Sequence, residues 1–144
     1  MPGGSEKLEK AIERAPGGGQ LLDSAVKNIR ALLAGAPSDL YSRVIDELVA
    51  AEEWAELNDR FYKTLEFGTG GLRGRTIGKI VTAAERGDAA HSAAAIGRPE
   101  FPCVGTNAMN FYNISRATRG LVAYLHEWNG RGVVGSTESR PTNK

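Results

Sequence analysis

Between Leu21 and Leu65 apolar residues return every three to four positions; at Phe67 that rhythm stops and a glycine-dense run begins. A period near 3.6 gives a helix one buried face, so residues 1–66 are predicted to be a helical leader and 67–144 a segment of different construction. Leu8 and Ile12 predict a short first helix, ended by Pro16-Gly17-Gly18-Gly19. Leu21, Leu22, Ala25, Val26, Ile29, Leu32 and Leu33 predict a second, stopped by Gly35 and Pro37. Ser38 is the expected N-cap of a third, which carries Leu40, Val44, Leu48 and Ala51 on one face. Trp54, Leu57, Phe61 and Leu65 mark a fourth stripe, either separate from the third or continuous with it.

Beyond the glycine run, Ile77, Ile80 and Val81 predict a short strand within Thr76–Thr82. Residues 83–102 are rich in Ala, Gly and Pro and read as a surface excursion. Gly105-Thr106-Asn107 leads into a helix whose apolar face is Ile114, Thr118, Leu121, Val122, Leu125 and Trp128, with Asn129-Gly130 as its stop. Val133-Val134 then reads as strand-like. No internal repeat is visible.

Composition narrows the function classes. Eighteen Lys and Arg against 17 Asp and Glu give a net charge of +1 over 144 residues. That balance argues against a nucleic-acid partner and against a polybasic membrane module. No apolar run approaches the roughly 20 residues of a membrane helix, and no signal pattern opens the chain, so the cytoplasm is the expected address. Cys103 is alone, which excludes an internal disulfide and a cysteine-based metal site. His91 and His126 have no ligand spacing and read as surface residues, and Asn113-Ile114-Ser115 reads as a chance glycosylation triplet.

Glycine is the outlier, 18 of 144 residues, or about 12% against a usual ~7%. It concentrates in Gly68-Thr69-Gly70-Gly71-Leu72-Arg73-Gly74-Arg75. Such a backbone can curl and aim successive N–H groups at one anion, and Arg73 adds a fork of donors suited to phosphate oxygens. A Walker A loop is excluded, since Ile80 follows the only Gly-Lys pair, Gly78-Lys79. A dinucleotide fingerprint is excluded, since Arg73 stands where the last glycine is needed. Two readings stay open on the residues alone: an anion-binding loop, or a structural turn between a helical region and an α/β core.

Phe67-Gly68-Thr69-Gly70-Gly71-Leu72-Arg73-Gly74 resembles the N-terminal signature of the α-D-phosphohexomutases, the phosphoglucomutase and phosphomannomutase enzymes. The resemblance extends to Asn107-Ala108-Met109-Asn110 and to Ile114 through Leu121, with Arg119 where the family more often has Gln. The helical leader is similar to that of the longer, phosphopentomutase-like branch. The resemblance implies an α/β fold, with residues 67–144 the incomplete first domain. It implies a phosphoserine that passes its phosphoryl group to a sugar phosphate through a bisphosphate intermediate, with Mg2+ assisting in the full-length enzyme. Arg73 would stand in the active-site wall near the phosphoserine, and Thr69, Gly70, Gly71 and Gly74 would shape the same phosphate-binding wall.

The Ser-His-Asn-Pro-type nucleophile loop and the alternating aspartates of the family's metal loop do not occur in these residues. Val133 to Arg140 resembles the first long strand, with Glu138 in place of aspartate. The expectation is therefore a truncated mutase, inactive alone and holding no metal alone. Its partners would be a sugar phosphate and the enzyme's remaining domains. A small helical interaction module and a non-catalytic phosphate-ester binder are the alternatives.

Overall fold

Helix α1 (Asp23–Gly35) turns Ala25, Ile29 and Leu32 onto one buried face. The structure, a computed structural model, describes residues 6, 8–10, 21–87 and 99–135. The expected stop at Pro16–Gly19, the middle of the excursion with His91, and Ser136–Arg140 lie outside them. Helix α1 stops at Gly35 because Ala36 takes the extended backbone (φ −68°, ψ 130°) that a following proline imposes.

Helix α2 (Leu40–Ala50) buries Tyr41, Val44, Ile45 and Leu48. Ser38 is not its cap. Asp39 directly precedes the helix, already in helical backbone (φ −73°, ψ −12°), and no side chain caps that end. Helix α3 (Trp54–Phe61) is separate from α2 and buries Leu57 and Phe61 together with Glu56 and Arg60.

The break between α2 and α3 has a specific cause. The Glu53 N–H donates to the Leu48 carbonyl at 2.9 Å and the Glu52 N–H to the Val49 carbonyl at 3.1 Å. This is a Schellman closure, and it puts Glu52 in the left-handed region (φ 56°). A side chain there costs about 1–2 kcal/mol. Glu52→Gly is therefore expected to stabilise the protein by about 0.5–1 kcal/mol, after the extra freedom glycine gives the unfolded chain. A urea melt checks it, and an unchanged or lowered midpoint contradicts the assignment.

The core lies where α1, α2 and α3 meet, joined by Leu8, Ala84 and Val104. Tyr112 packs edge-on against Tyr41, ring centres 6.0 Å apart. The short helix α4 (Ala83–Arg86) starts in a capping box of Thr82 and Glu85. Its first two amides, Ala83 and Ala84, donate to the Glu47 carboxylate of α2 at 2.6 and 3.0 Å.

Strands β1 (Phe67–Gly68) and β2 (Gly71–Leu72) pair antiparallel, Phe67 opposite Leu72 and Gly68 opposite Gly71. Among the described residues they form the whole sheet content. The strand expected within Thr76–Thr82 is absent. Gly78 is pressed against Glu56 and Arg60, where an added Cβ would lie 2.7 Å from Glu56 Oε1, and the Ile80 carbonyl accepts from Arg60. That backbone is bound to a buried side chain and is not free to join a ladder.

Helix α5 (Phe111–Gly135) runs through both Asn129-Gly130 and Val133-Val134. The expected stop and the strand-like reading are both overturned. Gly130 has open space around it, so its effect is the ~1 kcal/mol propensity loss of one glycine. A valine pair becomes a strand only beside a partner strand. The apolar stripe is solvent-facing: Ile114, Leu121, Val122, Tyr124, Leu125 and Trp128 are 46–62% exposed.

The described residues form two compact units, one up to Asn113 and one from Ile114. They are mostly helical, with one small antiparallel sheet. None of their helices is long and apolar enough to cross a membrane.

Candidate anion-binding site

Residues 68–74 form the tip and descending arm of the hairpin. Thr69 and Gly70 make the turn, and Gly71 takes the left-handed φ of 104° that lets the chain reverse. Thr69, Gly70 and Arg73 are exposed and Gly71 is half-buried. The Arg73 side chain folds back over the turn. A Cβ built on Gly70 would fall 2.5 Å from Arg73 Nη2 and 3.4 Å from Cζ. Glycine at 70 is what allows the guanidinium to lie against the hairpin backbone.

The base of the hairpin is anchored at Gly74. A Cβ there would meet Leu65 Cδ1 at 3.0 Å and the Met109 nitrogen at 3.1 Å. The Met109 N–H donates to the Arg75 carbonyl at 2.9 Å, the Cys103 N–H to the Thr76 carbonyl at 2.8 Å, and the Leu65 N–H to the Thr106 carbonyl at 2.7 Å. The strap 103–110 thereby ties both sides of the hairpin to α3.

The Asn107-Ala108-Met109-Asn110 segment holds this strap in shape. Asn107 Nδ2 donates to the Asp59 carbonyl. Asn110 Nδ2 donates to the carbonyls of Cys103 and Gly105 at 2.8 and 2.9 Å. Asn113 Nδ2 donates to the carbonyls of Gly105, Thr106 and Ala108. These amides are spent on backbone, and Asn113 is buried, which removes it as a glycosylation acceptor.

Three cations follow the turn, and they differ. Arg75 Nη2 lies 2.7 Å from Asp59 Oδ2 and 3.5 Å from Glu56 Oε1. That nitrogen is buried without a directed hydrogen bond, so the contact with Asp59 is one of charge. Lys79 Nζ lies 3.4 Å from the same Asp59 oxygen. Arg73 makes no hydrogen bond or ion pair among the described residues, and the carboxylate that neutralises its neighbours does not reach it.

Behind the arm that follows the hairpin, reached through Arg75 and Glu56, lies a buried ionic group that the sequence reading did not single out. Arg60 is 0% exposed. Its Nε donates to Glu56 at 2.7 Å, Nη1 to Glu85 at 2.6 Å and to the Val104 carbonyl at 3.2 Å, and Nη2 to the Ile80 carbonyl at 2.5 Å. Burial opposes the charge, but the carboxylates of Glu85 and Glu56 outweigh it and hold the Arg60 pKa above its usual value. One signal was present in the sequence. Arg60 stands between Leu57 and Phe61 on the apolar face of α3, four residues after Glu56.

Cys103 is buried in the same strap, and burial pushes its thiol up to about 11 from 9.0. The unfolded chain therefore gives up this proton first. The stability carried by the neutral thiol is intact below about pH 9 and is lost as pH rises toward about 11. Tyr41, raised by burial and by Tyr112, adds to the loss in the same direction. Stability from urea melts should fall on that alkaline side, by up to about 1.4 kcal/mol per pH unit for one group. Cys103→Ala should flatten part of the fall, and an equal slope in the variant would refute the assignment. His126, on α5, is exposed.

No cluster of three His, Cys, Asp or Glu able to hold a metal ion forms among the described residues. No family model, curated protein or solved structure matches the chain.

Proposed function

We propose that this chain supplies the phosphate-contacting wall of a phosphohexomutase-like enzyme, with the hairpin 68–74 as that wall. The observation that carries the reading is the selective freedom of Arg73. Within one glycine-rich hairpin and its arm, Arg75 and Lys79 are paired with Asp59, while Arg73 lies exposed over the turn with no partner among the described residues. A charged fork beside side-chain-free backbone suits the oxygens of a phosphoryl group. The resemblance of Phe67–Gly74 to the mutase signature gives that phosphoryl group a source, a sugar phosphate or a phosphoserine. The enzyme would move the phosphoryl group between sugar positions through a bisphosphate intermediate. This chain contains no Ser-His-Asn-Pro segment to serve as nucleophile, so by itself it should bind and not turn over.

Calorimetry with glucose 6-phosphate and with glucose tests the reading. Binding of the phosphate ester and none of the sugar is expected. Equal binding of both, or of neither, overturns it.

A helical interaction module remains the second reading, favoured by the exposed apolar stripe of α5. Concentration-dependent self-association that Leu121→Glu abolishes would support it.

A further inference from the structure

Three cations and three carboxylates form one connected group that begins on the arm following the hairpin, at Arg75 and Lys79. Arg60 pairs with Glu56 and Glu85, Arg75 with Glu56 and Asp59, and Lys79 with Asp59. Charges of +3 and −3 cancel, so the group as a whole is neutral. Arg75 follows Arg73 by two residues, so their backbones are at most about 7 Å apart, and at about 10 mM ionic strength charges are felt over about 30 Å. Without Asp59 this stretch would carry three positive charges, Arg73, Arg75 and Lys79, with only the Glu56 carboxylate left beside Arg75. With Asp59, Arg73 is the one uncompensated cation from Gly68 to Lys79 among the described residues.

Resting on the phosphate-site reading above, we propose that Asp59 is a specificity-determining residue. By holding the charge of Arg75 and Lys79 in check, it matches the hairpin to a single phosphoryl group and withholds the extra attraction that more highly charged anions would gain. Asp59 acts through those two side chains and need not touch the ligand.

The consequence is a graded dependence of affinity on the charge of the group, steeper for a ligand of higher charge. Inorganic phosphate and pyrophosphate, titrated by calorimetry into the full chain at about pH 8 and about 10 mM ionic strength, are the probes. Asp59→Asn, which leaves the group at +1, should tighten phosphate about threefold and pyrophosphate about fivefold. Lys79→Gln, which leaves it at −1, should weaken both by similar factors. The double variant should return to the starting affinities. All these differences should collapse at about 1 M salt, where the screening length is about 3 Å.

The Lys79 side chain is 76% exposed, so its variant reads the effect without touching the core, even if Asp59→Asn fails to fold. Equal gains for both anions, or no change in either single variant while the unmodified chain still binds phosphate, overturn the assignment to Asp59 alone. Failure of the unmodified chain to bind phosphate overturns the site itself and this role with it.

Discussion

Arg60→Ala is expected to destabilise the first compact unit by about 3–5 kcal/mol, the range for breaking a buried ion pair from one side. Domains of ordinary stability have only about 5–15 kcal/mol in total, so the variant should be largely or wholly unfolded. Arg60 binds two carboxylates and two carbonyls that come from α3, from the stretch ahead of α4, from α4 itself and from the strap at Val104. Truncation leaves Glu56 and Glu85 buried beside each other without their shared cation. Arg60→Lys should not rescue it, because one ammonium cannot reproduce a planar fork with donors on three sides. The backbone has also closed around this side chain. A Cβ on Gly105 would lie 3.0 Å from Arg60 Cβ and 2.7 Å from its carbonyl oxygen. A urea melt that moves by less than about 1 kcal/mol, below the cost of leaving a single buried polar group unsatisfied, would refute this picture of the network.

Arg73→Ala carries the opposite signature. The residue is exposed and bonds to no described residue, so the melting midpoint should stay where it is. Binding of a sugar phosphate should nevertheless weaken by about 10- to 100-fold, since a hydrogen bond to a charged group contributes about 1.5–3 kcal/mol. Arg73→Lys should recover part of this, as charge without the fork. The pair of variants separates the scaffold from the site: Arg60→Ala removes the fold, and Arg73→Ala removes the ligand from an intact fold. A midpoint that falls with Arg73→Ala would mean that the guanidinium is structural after all.

Helices α1 to α3 were legible in the sequence because burial on one face of a helix leaves a 3.6-residue trace, seen in Ala25, Ile29 and Leu32 and again in Val44 and Leu48. The stop at Gly35 was legible through Pro37. The start of α2 was not, because Asp39 is already helical and the end is left uncapped. Thr76–Thr82 misled because Ile77, Ile80 and Val81 favour strands, while the deciding contacts come from Arg60, sixteen or more residues earlier. Asn129-Gly130 misled because a glycine stops a helix only where the backbone turns left-handed, and here it continues. In the candidate site, the glycines and Arg73 were visible as a run. Their arrangement as a hairpin was not, and neither was the pairing of Arg75 and Lys79 with Asp59, which joins residues far apart in the chain.

Binding of a phosphoryl group at the hairpin would be read out by where in the chain the resonances respond. Amide resonances of the full chain should be followed while inorganic phosphate is added at low ionic strength. Saturable shifts confined to Gly68–Gly74 and to the side-chain Nε–H of Arg73 are expected, with the α1 and α2 amides unmoved. Shifts spread over surface lysines and arginines without saturation, or saturable shifts centred elsewhere in the chain, would contradict binding at the hairpin.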